Sequence, residues 1–126
     1  MAVAFLEEKR YLRAQLSGTW NVDEFPSHVD LIAKECQERK QTLLLIDFAS
    51  LIWNRVSTLD RYRMGQGAEQ LAGKVARVAV LARTDQIDPG RFGERVARNR
   101  GINVKVFINL DEARHWLLDP EKKQGS

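Results

Sequence analysis

Apolar and polar residues alternate in two short stretches at the start of the chain, residues 2–6 and 11–17, split by the charged turn Glu7-Glu8-Lys9-Arg10. A period of two predicts a β-hairpin, with Tyr11, Arg13 and Gln15 on one face and Leu12, Ala14 and Leu16 on the other. Ser17-Gly18-Thr19 is expected to end the second strand. The period then lengthens. Phe25, Val29, Ile32, Ala33 and Cys36 recur at helical spacing. They predict a helix running from a cap at Asn21 to about Arg39, with Asp23 and Glu24 in its first turn and Pro26 where a missing N–H costs least. Residues 42–48 are apolar on both faces, as a central strand covered by helices would be.

The connection 49–56 holds Trp53, and a second helix is expected from Ser57 or Thr58 to about Leu71, with Asp60 in its first turn. Gly65 and Gly67 each weaken that helix by about 1 kcal/mol relative to alanine, unless something packs close to them. A further strand is expected over residues 74–82, a polar loop over 83–89 and a third helix over 90–100, which Gly101 is placed to end. Residues 104–108 read as the last strand. Asn109 reads as the cap of a fourth helix over 110–118, with Asp111 and Glu112 at its positive end.

The predicted order is therefore β-β-α-β-α-β-α-β-α. This is an α/β chain with a mixed, mostly parallel sheet of about five strands flanked by helices. Residues 1–118 are expected to form one domain and residues 119–126 a polar tail. In open sheets of this class ligands sit beyond the carboxyl ends of the parallel strands. Asp47, the 49–58 connection, residues 83–88 and Asn109 would gather there.

Composition narrows the class. At 126 residues, 44% apolar and 29% charged, the chain has the make-up of one globular domain. No apolar run approaches the roughly 20 residues that span a bilayer. The early charges argue against an export signal, and a single cysteine permits no internal disulfide, so a cytoplasmic location is expected. Charge is unevenly placed: residues 55–105 carry 11 Lys/Arg against 5 Asp/Glu. A basic face there suits an anionic ligand or an acidic partner, and equally a plain solvated surface.

The end of the chain carries a resemblance. The strands "LLLIDF" and "VARVAVLA" and the closing "GINVKVFINLDEARHWL", with Val104, Val106, Phe107, Asn109, Glu112, Ala113, Trp116 and Leu117 in place, resemble the STAS domain. Within it they are similar to the bacterial anti-sigma-factor-antagonist-like (SpoIIAA-like) branch. The resemblance implies a sheet flanked by helices, no cofactor, and work through protein contacts or small-ligand binding. In regulatory STAS domains an Asp-Ser-x-Gly-like turn follows the central strand, and a kinase phosphorylates its serine. Here that stretch is Trp53-Asn54-Arg55-Val56-Ser57-Thr58-Leu59, without the Asp or the Gly. Ser57 and Thr58 stand near the switch position, and a helix N-terminus accommodates phosphate, but each also reads as a cap.

No residue of the sequence stands out as catalytic. His28 and His115 lie in predicted helices with no second ligand at metal spacing, so no metal site is expected. Gly65-Gln66-Gly67 is neither a dinucleotide fingerprint nor a phosphate loop. Asp47, Asp85 and Asp88 could meet at the sheet edge, but the acidic pair of a receiver domain is missing from the first strand. Two features favour binding. Arg91, Arg95 and Arg98 share one helix face, the candidate anion or acidic-partner contact. Trp53, Arg55, Ser57, Thr58, Arg61 and Tyr62 form the candidate contact surface at the start of the second helix. The expected function is a non-enzymatic protein-binding or regulatory module whose protein partner has no identity in the sequence. The alternative is a carrier or sensor of a small apolar or anionic ligand, with a homodimer compatible with either. Nucleic acid is disfavoured, because the arginines lack interleaved aromatics.

Overall fold

In the computed structural model, which describes residues 1–53 and 56–119, β1 (Ala2–Glu7) and β2 (Leu12–Thr19) form the expected antiparallel hairpin. Leu12, Ala14 and Leu16 are fully buried, and Tyr11 is buried on the opposite face. The chain continues through α1 (Phe25–Glu38), β3 (Leu43–Ile52), α2 (Thr58–Gly67), β4 (Arg77–Leu81), α3 (Phe92–Asn99), β5 (Val104–Phe107) and α4 (Leu110–Leu118). Short 3-10 turns at Ala68–Leu71 and Thr84–Gln86 interrupt the connections. The sheet has five strands in the order β1-β2-β3-β4-β5, and every pair after the hairpin is parallel.

Right-handed crossovers that all step in one direction put their helices on one face of a sheet. Accordingly α1, α2 and α3 share a core with Leu12, Leu44, Ile46 and Val78. Helix α4 packs Ala113, Trp116 and Leu117 on the other face against Leu45, Ala79 and Phe107. Each fully buried leucine, isoleucine, valine or phenylalanine among them contributes about 1.5–3 kcal/mol. The strand order never reverses within the parallel part, so the sheet has no switch-point crevice. No helix among the described residues is long and apolar enough to cross a membrane.

Three local expectations are corrected. Ser17-Gly18-Thr19 does not end β2, because Ser17, Gly18 and Thr19 pair with Ser50, Leu51 and Ile52. Asn21 does not cap α1: its Oδ1 accepts the Asp23 N–H in a turn of its own (2.9 Å), and the helix starts at Phe25 with Pro26 in its first turn. The 49–56 connection is partly strand, since β3 runs to Ile52.

That last extension needs explaining, because β4 ends at Leu81 opposite Asp47 and leaves one side of residues 48–52 without a strand. Side chains replace it. Gln86 Nε2 donates to Phe48 O (2.8 Å), while its Oε1 accepts the Arg83 N–H (2.8 Å). Arg83 Nη1 donates to Ala49 O and to Leu51 O. Gln86 is thus a buried polar residue with its polar groups used. Gln86→Leu is expected to cost about 1–3 kcal/mol for each buried group left unmet. Urea unfolding would show it as a lower midpoint at unchanged slope.

Candidate functional site

Helix α2 opens on a capping box. The Asp60 N–H donates to Ser57 Oγ (3.0 Å), and the Ser57 N–H donates to Asp60 Oδ2 (3.3 Å). Ser57, Thr58 and Leu59 are exposed there. One turn on, Arg61 and Met64 face inward. Gly65 then brings α2 against α3: a Cβ at Gly65 would stand 2.6 Å from Gly93 O and 2.7 Å from Val96 Cβ. The two helices touch at this crossing and roof the sheet over β4 and β5.

Under the roof the packing is incomplete. Val80 and Val106 lie mid-strand on the helix-covered face, yet both stay partly exposed. They line a cavity of about 100 Å³. Phe25, Phe48 and Trp53 wall one side, and Leu71, Val78, Ile102 and Val104 the end near the starts of β4 and β5. The polar lining comes from Arg61, Gln86, Asp88, Arg91 and Glu94, at the end where the 83–91 loop meets α3. Among the described residues no serine, cysteine, histidine or lysine lines it.

These charges are paired. Arg61 Nη1 donates to Gln86 O (3.0 Å) and Asp88 Oδ1 (3.4 Å), and its guanidinium lies 5.8 Å from the Trp53 ring centre. Asp88 also accepts the Phe92 N–H and so caps α3. Glu94 accepts the Val106 N–H (3.1 Å) and lies 3.4 Å from Arg91 and 3.9 Å from Arg98.

The residues singled out in the sequence fall into three places. Trp53, Arg61 and Arg91 meet at the cavity. Trp53 is half-buried against Trp20 and Phe48, with ring centres 5.3 and 6.2 Å away. Tyr62 and Arg95 lie outside it, both against Phe92 (6.4 and 5.8 Å), and Tyr62 Oη accepts from Arg100 Nη2 (3.1 Å). Arg91 and Arg98 reach the free edge of β5, where Arg91 Nη1 donates to Val106 O (2.9 Å) and Arg98 Nε to Val104 O (2.8 Å). With Glu94 they cover an edge that would otherwise invite strand pairing. Ser57 and Thr58 are apart from the cavity lining, and Arg55 lies outside the described residues.

The three aspartates do not converge. Asp47 points to the α4 face and pairs with Arg13 Nη2 (2.6 Å), Asp85 pairs with Arg83 and Asp88 with Arg61. The hydrogen bond from Arg83 holds the Asp85 carboxyl below the usual carboxylate range. Cys36 is fully buried, and burial pushes its thiol up to about 11, so it stays protonated at neutral pH and is a poor nucleophile. Among the described residues no cluster of three or more His, Cys, Asp or Glu could hold a metal ion.

The sequence offered a ligand carrier only as the alternative, gave Gln86 no role beyond its place in the 83–88 loop, and did not mark Glu94. Glu94 left a trace, because it stands three residues after Arg91 and four before Arg98 on one helix. Gln86 left none.

No protein-family model matches the chain, and no curated protein matches it. Among solved structures the chain is similar to an uncharacterised protein of the DUF3478 family from Shewanella loihica PV-4, described as having a SpoIIAA-like fold. The likeness has a TM-score of 0.55 at 19% identity and covers 92% of each chain. The α/β fold anticipated from the closing motif is thus a SpoIIAA-like one.

Proposed function

We propose that the protein is a non-enzymatic binding module that holds a small apolar molecule between its sheet and helices α2 and α3. The observation that carries this reading is the partial exposure of Val80 and Val106, on the helix-covered face of β4 and the edge strand β5, beside a cavity that both line. Protein cores pack to the density of organic crystals. A partly open cavity of about 100 Å³ leaves its apolar lining short of van der Waals partners. An apolar ligand recovers that loss, and a void of similar size in another protein binds benzene. The lining offers no nucleophile, and its acids and bases are paired with each other, which favours binding over catalysis.

A second reading has its own observation. Ile52 (57% exposed) and Leu59 (56%) flank Trp53 at the β3–α2 junction, and with Tyr62 they offer apolar contact to a partner protein.

Titration with 1-hexanol, followed by methyl NMR, tests the first reading. Shifts are expected at Val80, Val106 and Ile87, and are expected to vanish in Val80→Phe, whose ring fills the void. Shifts confined to Ile52 and Leu59, or none at all, would overturn the cavity reading and leave the junction surface as the functional one.

A further inference from the structure

Taking the cavity as the ligand site, we propose that its natural ligand is an amphiphile: a short apolar chain or ring ending in a carboxylate, with the carboxylate seated against Arg61. The cavity is chemically polarised. Its inner end is Leu71, Val78, Ile102 and Val104, without a polar side chain, while every charged lining residue stands at the other end. A ligand that fills it therefore needs an apolar body and one polar terminus.

Arg61 is the group placed to receive that terminus. Its side chain is only 16% exposed. Nη1 already serves Gln86 O and Asp88 Oδ1. Neither Nε nor Nη2 is sealed away without a partner, and the bonds to described residues run through Nη1, so the other two N–H groups can turn to a ligand that displaces solvent. Those two N–H groups form the fork that a carboxylate accepts side by side. An alcohol can accept from only one of them, whereas a carboxylate accepts from both in a charge-assisted pair.

The surrounding charge agrees with a monoanion. Asp88 is held by Arg61 and by the first N–H of α3, and Glu94 by Arg91 and Arg98. Arg95 adds a further cation, with its Nη2 beside Gly90. The cluster is left with a modest positive excess. A dianionic phosphate would face both Asp88 and Glu94 with only one guanidinium fork to hold it.

Matched ligands provide the test: hexanoate against 1-hexanol at pH 7 and low salt, read by the Val80 and Val106 methyl shifts. The intact chain is expected to bind hexanoate at least roughly tenfold more tightly, the scale of one added charge-assisted hydrogen bond. Arg61→Met is expected to remove the preference while changing hexanol affinity less than about threefold. Should that variant fail to fold, Arg61→Lys keeps the charge without the fork and is expected to lose most of the preference. Equal affinities in the intact chain would overturn the carboxylate proposal and leave the cavity reading standing. A preference that survives both substitutions would overturn the assignment to Arg61. Neither ligand shifting Val80 or Val106 would overturn both readings together.

Discussion

Gly65→Val is expected to destabilise the protein by about 3 kcal/mol, whereas Gly67→Ala, two residues on, is expected to stabilise it by up to about 1 kcal/mol. Both glycines lie in the same helix and look equivalent in sequence. A Cβ at Gly65 meets the backbone of α3 at Gly93 O and the Val96 side chain, all closer than 3.0 Å, and a carbonyl cannot rotate aside. Helices α2 and α3 would have to part, with the overpacking cost typical of a filled core. Gly93 makes the reciprocal approach: a Cβ there would stand 3.3 Å from Arg61 O. At Gly67 the added methyl finds the Phe25 ring at 3.5 Å, an ordinary contact, so the helix gains alanine's propensity without a clash. Denaturant unfolding of the two variants side by side checks the pair. Equal effects would mean that the crossing is not tight.

The second large effect is expected at the Arg13–Asp47 pair on the opposite face. Arg13→Met should cost roughly 3 kcal/mol, and adding Asp47→Leu should restore most of it. Asp47 is buried, Arg13 Nη2 stands 2.6 Å from its Oδ2, and the Ala49 N–H donates to its Oδ1 (2.8 Å). Without Arg13 the carboxylate keeps that single N–H in a site with little water. Breaking one half of a buried pair is costly because the remaining charge goes uncompensated, while two apolar residues in its place are often tolerated. Arg13 Nε is itself buried without an acceptor among the described residues, so the pair is imperfectly satisfied even when intact. A double-mutant cycle measures the coupling. Additive losses in the double variant would show that each residue acts independently.

Features made by neighbours in the chain were legible before the fold was known. Asn109 caps α4 through the N–H three residues on, and the helix spans the residues its pattern predicts. The Ser57–Asp60 box starts α2 in the same way. Gly101, at φ +89°, ends α3 where a left-handed residue is needed. The hairpin faces follow from alternation alone.

The candidate site was only partly legible. Trp53 and Arg61 were expected on one surface, but nothing local indicated that Arg91, expected on another, joins them. Arg91 and Arg98 read as one solvated face with Arg95, yet two of the three reach β5 carbonyls. The extension of β3 depends on Gly18 and Thr19 on one side, and on the other on side-chain bonds spanning 32 to 38 positions. The requirement for glycine at 65 depends on Gly93 and Val96 in another helix.

By itself, then, the sequence determined the element order, the caps of α2 and α4 and the buried faces, because those arise from contacts within a few residues and from hydrophobic period. Only the tertiary structure decided where β3 ends, which groups Arg61, Arg91 and Arg98 bind and that a cavity opens over Val80 and Val106. A strand edge, an ion pair and a void are each defined by groups distant along the chain, and their energies exist only once those groups are brought together.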